Sequence, residues 1–260
     1  MLAGLYECPT KLNKRSMKCM TTAMSDLPRT KTPQSAMALR ANRKGQILLA
    51  AERLFAKYGF HAVSIRQIAQ EAQVPLALVG YHYGQKQDLF HAIFEHWSGT
   101  IEERLQGLQG VQRQAHSRQK LQRIVEAFIS PVIRLRSSPE GESYAMLMTK
   151  GLSPQSDEAD RVLRDFFDPM AEAFITALHD TLAAEFPDAA VTRGTAAWSY
   201  QLSLGALLHH LSDTRVARLS HGECTPNDPD VQAHLVQFIV HGIRGAVQSF
   251  HPRPKKRRLS

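Results

Sequence analysis

The sequence predicts an all-α chain, with a small N-terminal unit of short helices followed by a larger helical domain. Three observations predict this. Apolar residues recur three and four apart along most of the chain, no segment alternates with the period of two that marks a half-buried strand, and the breaks fall at Gly and Pro. With 260 residues and 43% hydrophobic content, there is enough chain for one sizeable core and a satellite domain, which excludes whole-chain disorder.

Taken in order, the first predicted helix runs from Leu39 to Tyr58, where Ile47, Leu48, Ala51, Leu54, Phe55 and Tyr58 form an apolar stripe and Gly59 supplies the C-terminal stop. Ser64 opens a second helix, with Gln67 three residues on as its capping-box partner, and Ile65, Ile68 and Ala69 facing inward as far as Ala72. After Gln73-Val74, Pro75 begins a third helix to His82, closed by Gly84. Helices this short are unstable alone, so their neighbours must hold them. A long fourth helix is predicted from Gln85 to Gln106, ending near Gly107 and Gly110, with a fresh start at His116-Ser117.

The rest keeps the helical period. Leu121 to Val132 forms one stripe, Tyr144 to Met148 a short element, and Val162 to Leu182 a long one in which Pro169 predicts a kink before Phe186-Pro187 ends it. Two last helices, Val191–Leu211 and Pro229–Phe250, carry small residues (Gly205, Ala206, Gly242, Gly245, Ala246) that permit close helix approach.

Charge is unevenly placed. Of the formal net +8, residues 1–44 hold +7 and the last ten residues +5, leaving −4 on 45–250. Two basic ends on a mildly acidic body attract a polyanion to particular places, which makes nucleic acid a candidate partner. Residues 1–36 read as a disordered basic extension and 251–260 as a basic tail, with 37–98 and 99–250 as the two folded domains between them.

Several classes are excluded. The three cysteines are too scattered for a disulfide framework and form no CxxC pair; Cys224 reads as a loop cysteine, and adjacent His209 and His210 do not make a metal site, so no metal and no cofactor is expected. No secretory signal or membrane span is read, so a cytoplasmic protein is expected. No nucleophilic elbow, P-loop, HExxH pair or dinucleotide fingerprint is found, which argues against an enzyme.

The second and third helices with their short turn match a helix-turn-helix, whose second helix enters the DNA major groove. On this reading Ser64, Gln67 and Lys86 meet phosphates. Leu76, Ala77, Gly80, Tyr81 and His82 stand at the reader, and Arg40, Arg43 and Lys44 reach neighbouring phosphates or the minor groove. Val79 reads as core. In the larger domain, Met146, Met148, Phe166, Phe167, Phe174, Trp198 and Tyr200 are candidates to line an apolar effector cavity, with ordinary core packing as the alternative for each.

Residues 47–94 resemble the N-terminal DNA-binding domain of the TetR family of bacterial regulators. Ala51, Phe55, Gly59, Ser64-Ile65, Ile68-Ala69, Ala72, Val74, His82, Tyr83, Lys86 and Leu89 fall in register with its pattern. The segment LALVGYHYGQK further resembles a branch carrying a Leu-Ala-Ala-Val-Asn-Tyr-His-Phe-Gly-Ser-Lys type sequence, from which it departs at Pro75 and Gly80, so operator sequence does not carry over. The resemblance implies an all-α regulator with an N-terminal three-helix helix-turn-helix domain and a larger helical ligand-binding and dimerisation domain. It further implies a homodimer on a near-palindromic double-stranded operator, usually repressing and released by a small hydrophobic ligand, with the last two helices meeting their twins. The alternative is a helical protein-interaction module without sequence-specific DNA binding.

Overall fold

The computed structural model describes the backbone of residues 33–138, 141–151 and 157–249, with side chains from Arg43 onward. The predicted extension and the basic tail lie outside these residues, apart from the start of the first helix, which begins at Pro33 rather than Leu39. Among the described residues every regular element is helical.

The N-terminal unit consists of α1 (Pro33–Tyr58), α2 (Ile65–Glu71), α3 (Leu76–Tyr83) and α4 (Lys86–His96). Its core gathers Ile47, Ala51 and Phe55 of α1, Ile68 of α2, Val79 of α3, and Leu89, Phe90 and Phe94 of α4, all nearly inaccessible. Phe55, Phe60 and Phe90 meet edge-on or tilted at 5.1 to 5.7 Å between ring centres. Each fully buried ring contributes roughly 1.5–3 kcal/mol, which holds helices that are too short to stand alone. Gly59 ends α1 at φ +81°, its amide donating to the Phe55 carbonyl at 2.9 Å.

The larger domain follows as α5 (Ser98–Gln112), α6 (Lys120–Arg136), α7 (Glu142–Gly151), α8 (Asp157–Val162), a π-helical turn (Leu163–Phe167), α9 (Asp168–Glu185), α10 (Arg193–Ser212), α11 (Val216–Leu219) and α12 (Val231–Ser249). α6 packs between α5, α9 and α12, and α7 lies against both α1 and α10, so the two domains share a continuous core.

Three differences from the sequence reading have physical causes. The long helix predicted over 85–106 is two helices meeting at Trp97, where φ −95° and ψ 8° leave the helical region; the tryptophan ring is held by tertiary contacts described below, which helical periodicity does not report. Gly107 and Gly110 do not end a helix but lie inside α5. A Cβ at Gly107 would come within 3.2 Å of the Ala127 methyl on α6, so the residue permits a close helix crossing. Pro169 sits in the first turn of α9, where a missing amide hydrogen is tolerated, and the expected kink is the π turn just ahead of it, closed by Asp168 N–H donating to the Leu163 carbonyl.

Candidate functional site

The turn between α2 and α3 is built locally. Ser64 caps α2: its hydroxyl accepts from the Gln67 amide at 3.3 Å, and the Gln67 side-chain oxygen accepts from the Ser64 amide at 2.8 Å. At the other end Gln73 takes φ +53°, its amide donating to the Gln70 carbonyl while Val74 N–H reaches the Ala69 carbonyl at 3.0 Å, a Schellman closure with a non-glycine residue in the left-handed position. Pro75 then leads into α3.

Two faces of α3 differ sharply. Val79 is fully buried, as expected, whereas Leu76, Ala77, Gly80 and Tyr81 are exposed, Tyr81 at 79%. Their spacing, two adjacent pairs four apart, sets all four on one side of the helix. A Cβ at Gly80 would meet nothing within 4 Å, so the fold does not require glycine there. His82 is half-buried, its ring 5.2 Å from that of Tyr81. The end of α3 is anchored to α1. The Tyr83 hydroxyl donates to the Lys44 carbonyl at 2.8 Å, burial pushes that phenol up to about 12 so it stays a donor, and the Lys44 ammonium lies 5.6 Å from the same ring.

Lys86 is engaged within the protein. Its ammonium donates to the carbonyls of Phe60 (2.9 Å) and Val63 (3.0 Å) and lies 4.2 Å over the Phe60 ring, so it binds the α1–α2 loop to the start of α4. Arg43 and Lys44 are exposed in the interior of α1, well past the first turn at which the sequence places them, while the side chain of Arg40 lies outside the described residues. Arg66, exposed on the first turn of α2, lies inside the Ser64–Gln67 capping box, where attention to the caps hides an outward cation that sequence reasoning missed.

A polar seam joins the N-terminal unit to the larger domain. His61 pairs with Glu158 at 3.1 Å, His91 with Asp165 at 2.9 Å, and Asp88 with Arg161 at 3.4 Å, while the His91 ring packs on Phe166 at 4.8 Å. Deeper in, Trp97 Nε1 donates to buried Glu52 at 2.8 Å. Burial pushes the Glu52 carboxyl up, opposed by that hydrogen bond, by the charge of Arg53 and by the backbone of Tyr144.

The seven effector candidates do not gather round one open cavity. Phe174 and Tyr200 pack on Phe128 at 5.1 and 5.2 Å, beside a void of only about 10 Å³. Phe166 and Phe167 belong to the π turn and pack toward His91 and Phe94, and Met146 and Met148 stand on α7, half-buried and buried. Trp198 is outside the core altogether. It lines a groove of about 730 Å³ between α10 and α12 with Leu202, Phe238 and the small residues Ala206, Gly242 and Ala246, and it is 68% exposed beside Phe238 at 71%. Residues chosen for type alone were thus a mixture of core and surface. Sequence reasoning missed Arg104, which falls on the inner stripe of α5 with Ile101, Leu108 and Val111 and is 4% exposed.

Among the described residues no cluster of His, Cys, Asp or Glu could hold a metal ion, and no helix is long and apolar enough to cross a membrane.

Residues 47–93 match the family described as bacterial regulatory proteins, tetR family, and residues 126–242 match the tetracyclin repressor-like C-terminal domain. The chain is 31% identical over 90 residues to the HTH-type transcriptional activator FasR of Mycolicibacterium smegmatis; this covers 34% of the chain and 40% of FasR, so the aligned part spans less than half of that relative. Its fold is similar to that of NalD of Pseudomonas aeruginosa, the secondary repressor of a multidrug efflux pump, at 22% identity and TM-score 0.54 over 78% of this chain and 97% of that one. It is also similar to FadR of Bacillus subtilis in complex with stearoyl-CoA, at 16% identity and TM-score 0.50 over 76% and 98% of the two chains.

Proposed function

Because the chain belongs to the TetR family of bacterial regulatory proteins, we propose that it is a homodimeric regulator of transcription that reads an operator through α3 and represses until a small hydrophobic ligand binds its larger domain. The observation that carries this reading is the exposed face of α3: Leu76, Ala77, Gly80 and Tyr81 project from a helix whose other side is fixed by Val79 and Tyr83. Bare backbone at Gly80 admits close approach to base edges, and the Leu76 and Ala77 side chains suit thymine methyl groups. Ser64, Gln67, Arg66, Arg43 and Lys44 would meet phosphates, with Arg40, outside the described side chains, as a further cation of the same helix. Lys86 acts indirectly, by holding the loop that leads into α2.

One reader buries too little DNA for tight specific binding, so a second copy is required. The α10/α12 groove supports that copy: Trp198, Leu202 and Phe238 are exposed beside Gly205, Gly242 and Gly245, where an added Cβ would meet nothing within the protomer. A ligand that favours one dimer geometry then weakens the match to adjacent grooves by linkage.

Anisotropy titrations of the full chain on labelled duplexes from upstream of its own gene, across salt concentrations, test the reading. Tight binding to one duplex over its scrambled sequence, falling steeply with salt, is expected. Sequence-indifferent or salt-independent binding would overturn it and favour a protein-interaction module.

A further inference from the structure

The core of the larger domain contains a buried cation that makes no ion pair among the described residues. Arg104, on α5, points its guanidinium into the bundle, where one nitrogen donates to the Met170 sulfur at 3.2 Å and the group lies 5.3 Å from the centre of the Phe128 ring. A thioether and a ring face are weak substitutes for water or a carboxylate. Among the described residues Arg104 makes no ion pair, and the neighbouring Glu103 is taken by Arg134. The Arg104 Nε and the hydroxyl of Tyr144, both inaccessible, find no hydrogen-bond partner among the described residues. The charge of Arg104 acts on both Tyr144 and Tyr200, so the three polar groups share one region of the core, at whose edges the carboxyls of Glu52 and Asp168 act on Tyr144 and Tyr200 in turn. Burial lowers the Arg104 pKa to about 10, which leaves it charged at neutral pH.

We propose that Arg104 is the receptor for the carboxylate of an apolar monocarboxylic acid, with the hydroxyls of Tyr144 and Tyr200 as further donors; this rests on the reading of the larger domain as effector-binding. A guanidinium fork matches a carboxylate, and a single buried cation balances one negative charge rather than the two or more of a phosphate group. The surroundings are apolar apart from Ser203: Ile124, Val125, Phe128, Phe174 and Leu178 surround the void of about 10 Å³ next to Tyr200, which holds a tail only once it widens. Entry requires the core to open, and the means are at hand. Met170, the present partner of Arg104, is an adaptable side chain on the first turns of α9, immediately after the π turn and Pro169. A carboxylate held by Tyr144 also acts on the N-terminal unit, because that ring stacks on Trp97 at 5.4 Å and Trp97 is bonded to Glu52 of α1.

The test is calorimetric titration and thermal denaturation of the full chain with octanoate and 4-phenylbutyrate, each against its neutral analogue, octanamide and 4-phenylbutanol. The acids are expected to bind and to raise Tm with concentration, the neutral analogues to bind at least tenfold more weakly. Arg104→Met should lose at least tenfold in affinity for both acids, and Tyr144→Phe at least threefold. Equal binding of acids and neutral analogues, absence of binding by both acids, or unchanged affinity in Arg104→Met would overturn the proposal. If Arg104→Met does not fold, unchanged affinity in Tyr144→Phe does so. None of these readouts involves DNA, so failure of operator binding in the same preparations would count against the reader assignment alone.

Discussion

Trp97 donates its indole N–H to the carboxylate of Glu52 at 2.8 Å, and this bond links α1 to the break between α4 and α5. The same indole stacks on Tyr144 of α7, so three elements from both domains meet on one side chain. Any movement of α7 or α5 is therefore felt by the helix that carries Arg43 and Lys44.

Replacing Trp97 by Phe keeps a ring but leaves Glu52 buried without its side-chain donor, and should cost about 1–3 kcal/mol in urea denaturation. Glu52→Gln should do the opposite at neutral pH. The folded pKa of Glu52 lies above its ordinary value of 4.5, so its contribution to stability is fully present below 4.5 and is lost as pH rises through the folded value. Glutamine still accepts from Trp97 and carries no charge, so stability at pH 7 should equal or exceed that of the parent.

Gly80→Ala separates folding from recognition. The site has open space and lies inside a helix, so alanine should leave Tm unchanged or raise stability by up to about 1 kcal/mol. Specific operator binding should nevertheless weaken, measured by anisotropy against the scrambled duplex.

Lys86→Met removes two hydrogen bonds and a contact with the Phe60 ring. A loss of about 1–3 kcal/mol in stability is expected. Operator affinity should fall while the slope of log K against log salt stays constant, whereas a phosphate ligand would lower that slope by about 0.9.

His210 gives the chain an acid sensitivity. Burial, the charge of Arg136 and the neighbouring His209 hold its pKa below the ordinary 6.5. The unfolded chain thus takes up a proton before the folded one does, so the contribution is present above pH 6.5 and lost as pH falls through the folded value. Melting profiles between pH 5 and 7 should be flatter in His210→Gln than in the parent.

Phe238→Glu places a charge in the α10/α12 groove, at a side chain already 71% exposed. The protomer should remain folded and the dimer should dissociate, seen as a halved mass in sedimentation or light scattering.

How far these features could be read in advance depended on whether they are local. The capping box of Ser64 and Gln67, the Gly59 stop and the inward Val79 follow from spacing along a few residues, and each stands where the spacing placed it. The break at Trp97 does not, because the nearest glycine, Gly99, lies beyond it inside α5 and the indole is held by a bond to a residue 45 positions away. Lys86 was legible as a cation near the reader but not as a tether, since its acceptors are carbonyls of a loop. Aromatic type did not tell Trp198 on the surface from Phe174 in the core, yet Arg104 was visible as a charge in step with Ile101 and Leu108, had the stripe been followed through it.

The most direct test of α3 as the reader is selection of bound duplexes from a randomised library by the full chain, repeated with Tyr81→Ala. An enriched inverted repeat with half-site centres about one helical turn or a multiple apart, altered or lost in Tyr81→Ala, is the predicted result. Enrichment of no sequence, or the same enriched sequence at equal affinity in Tyr81→Ala and Gly80→Ala, would contradict it.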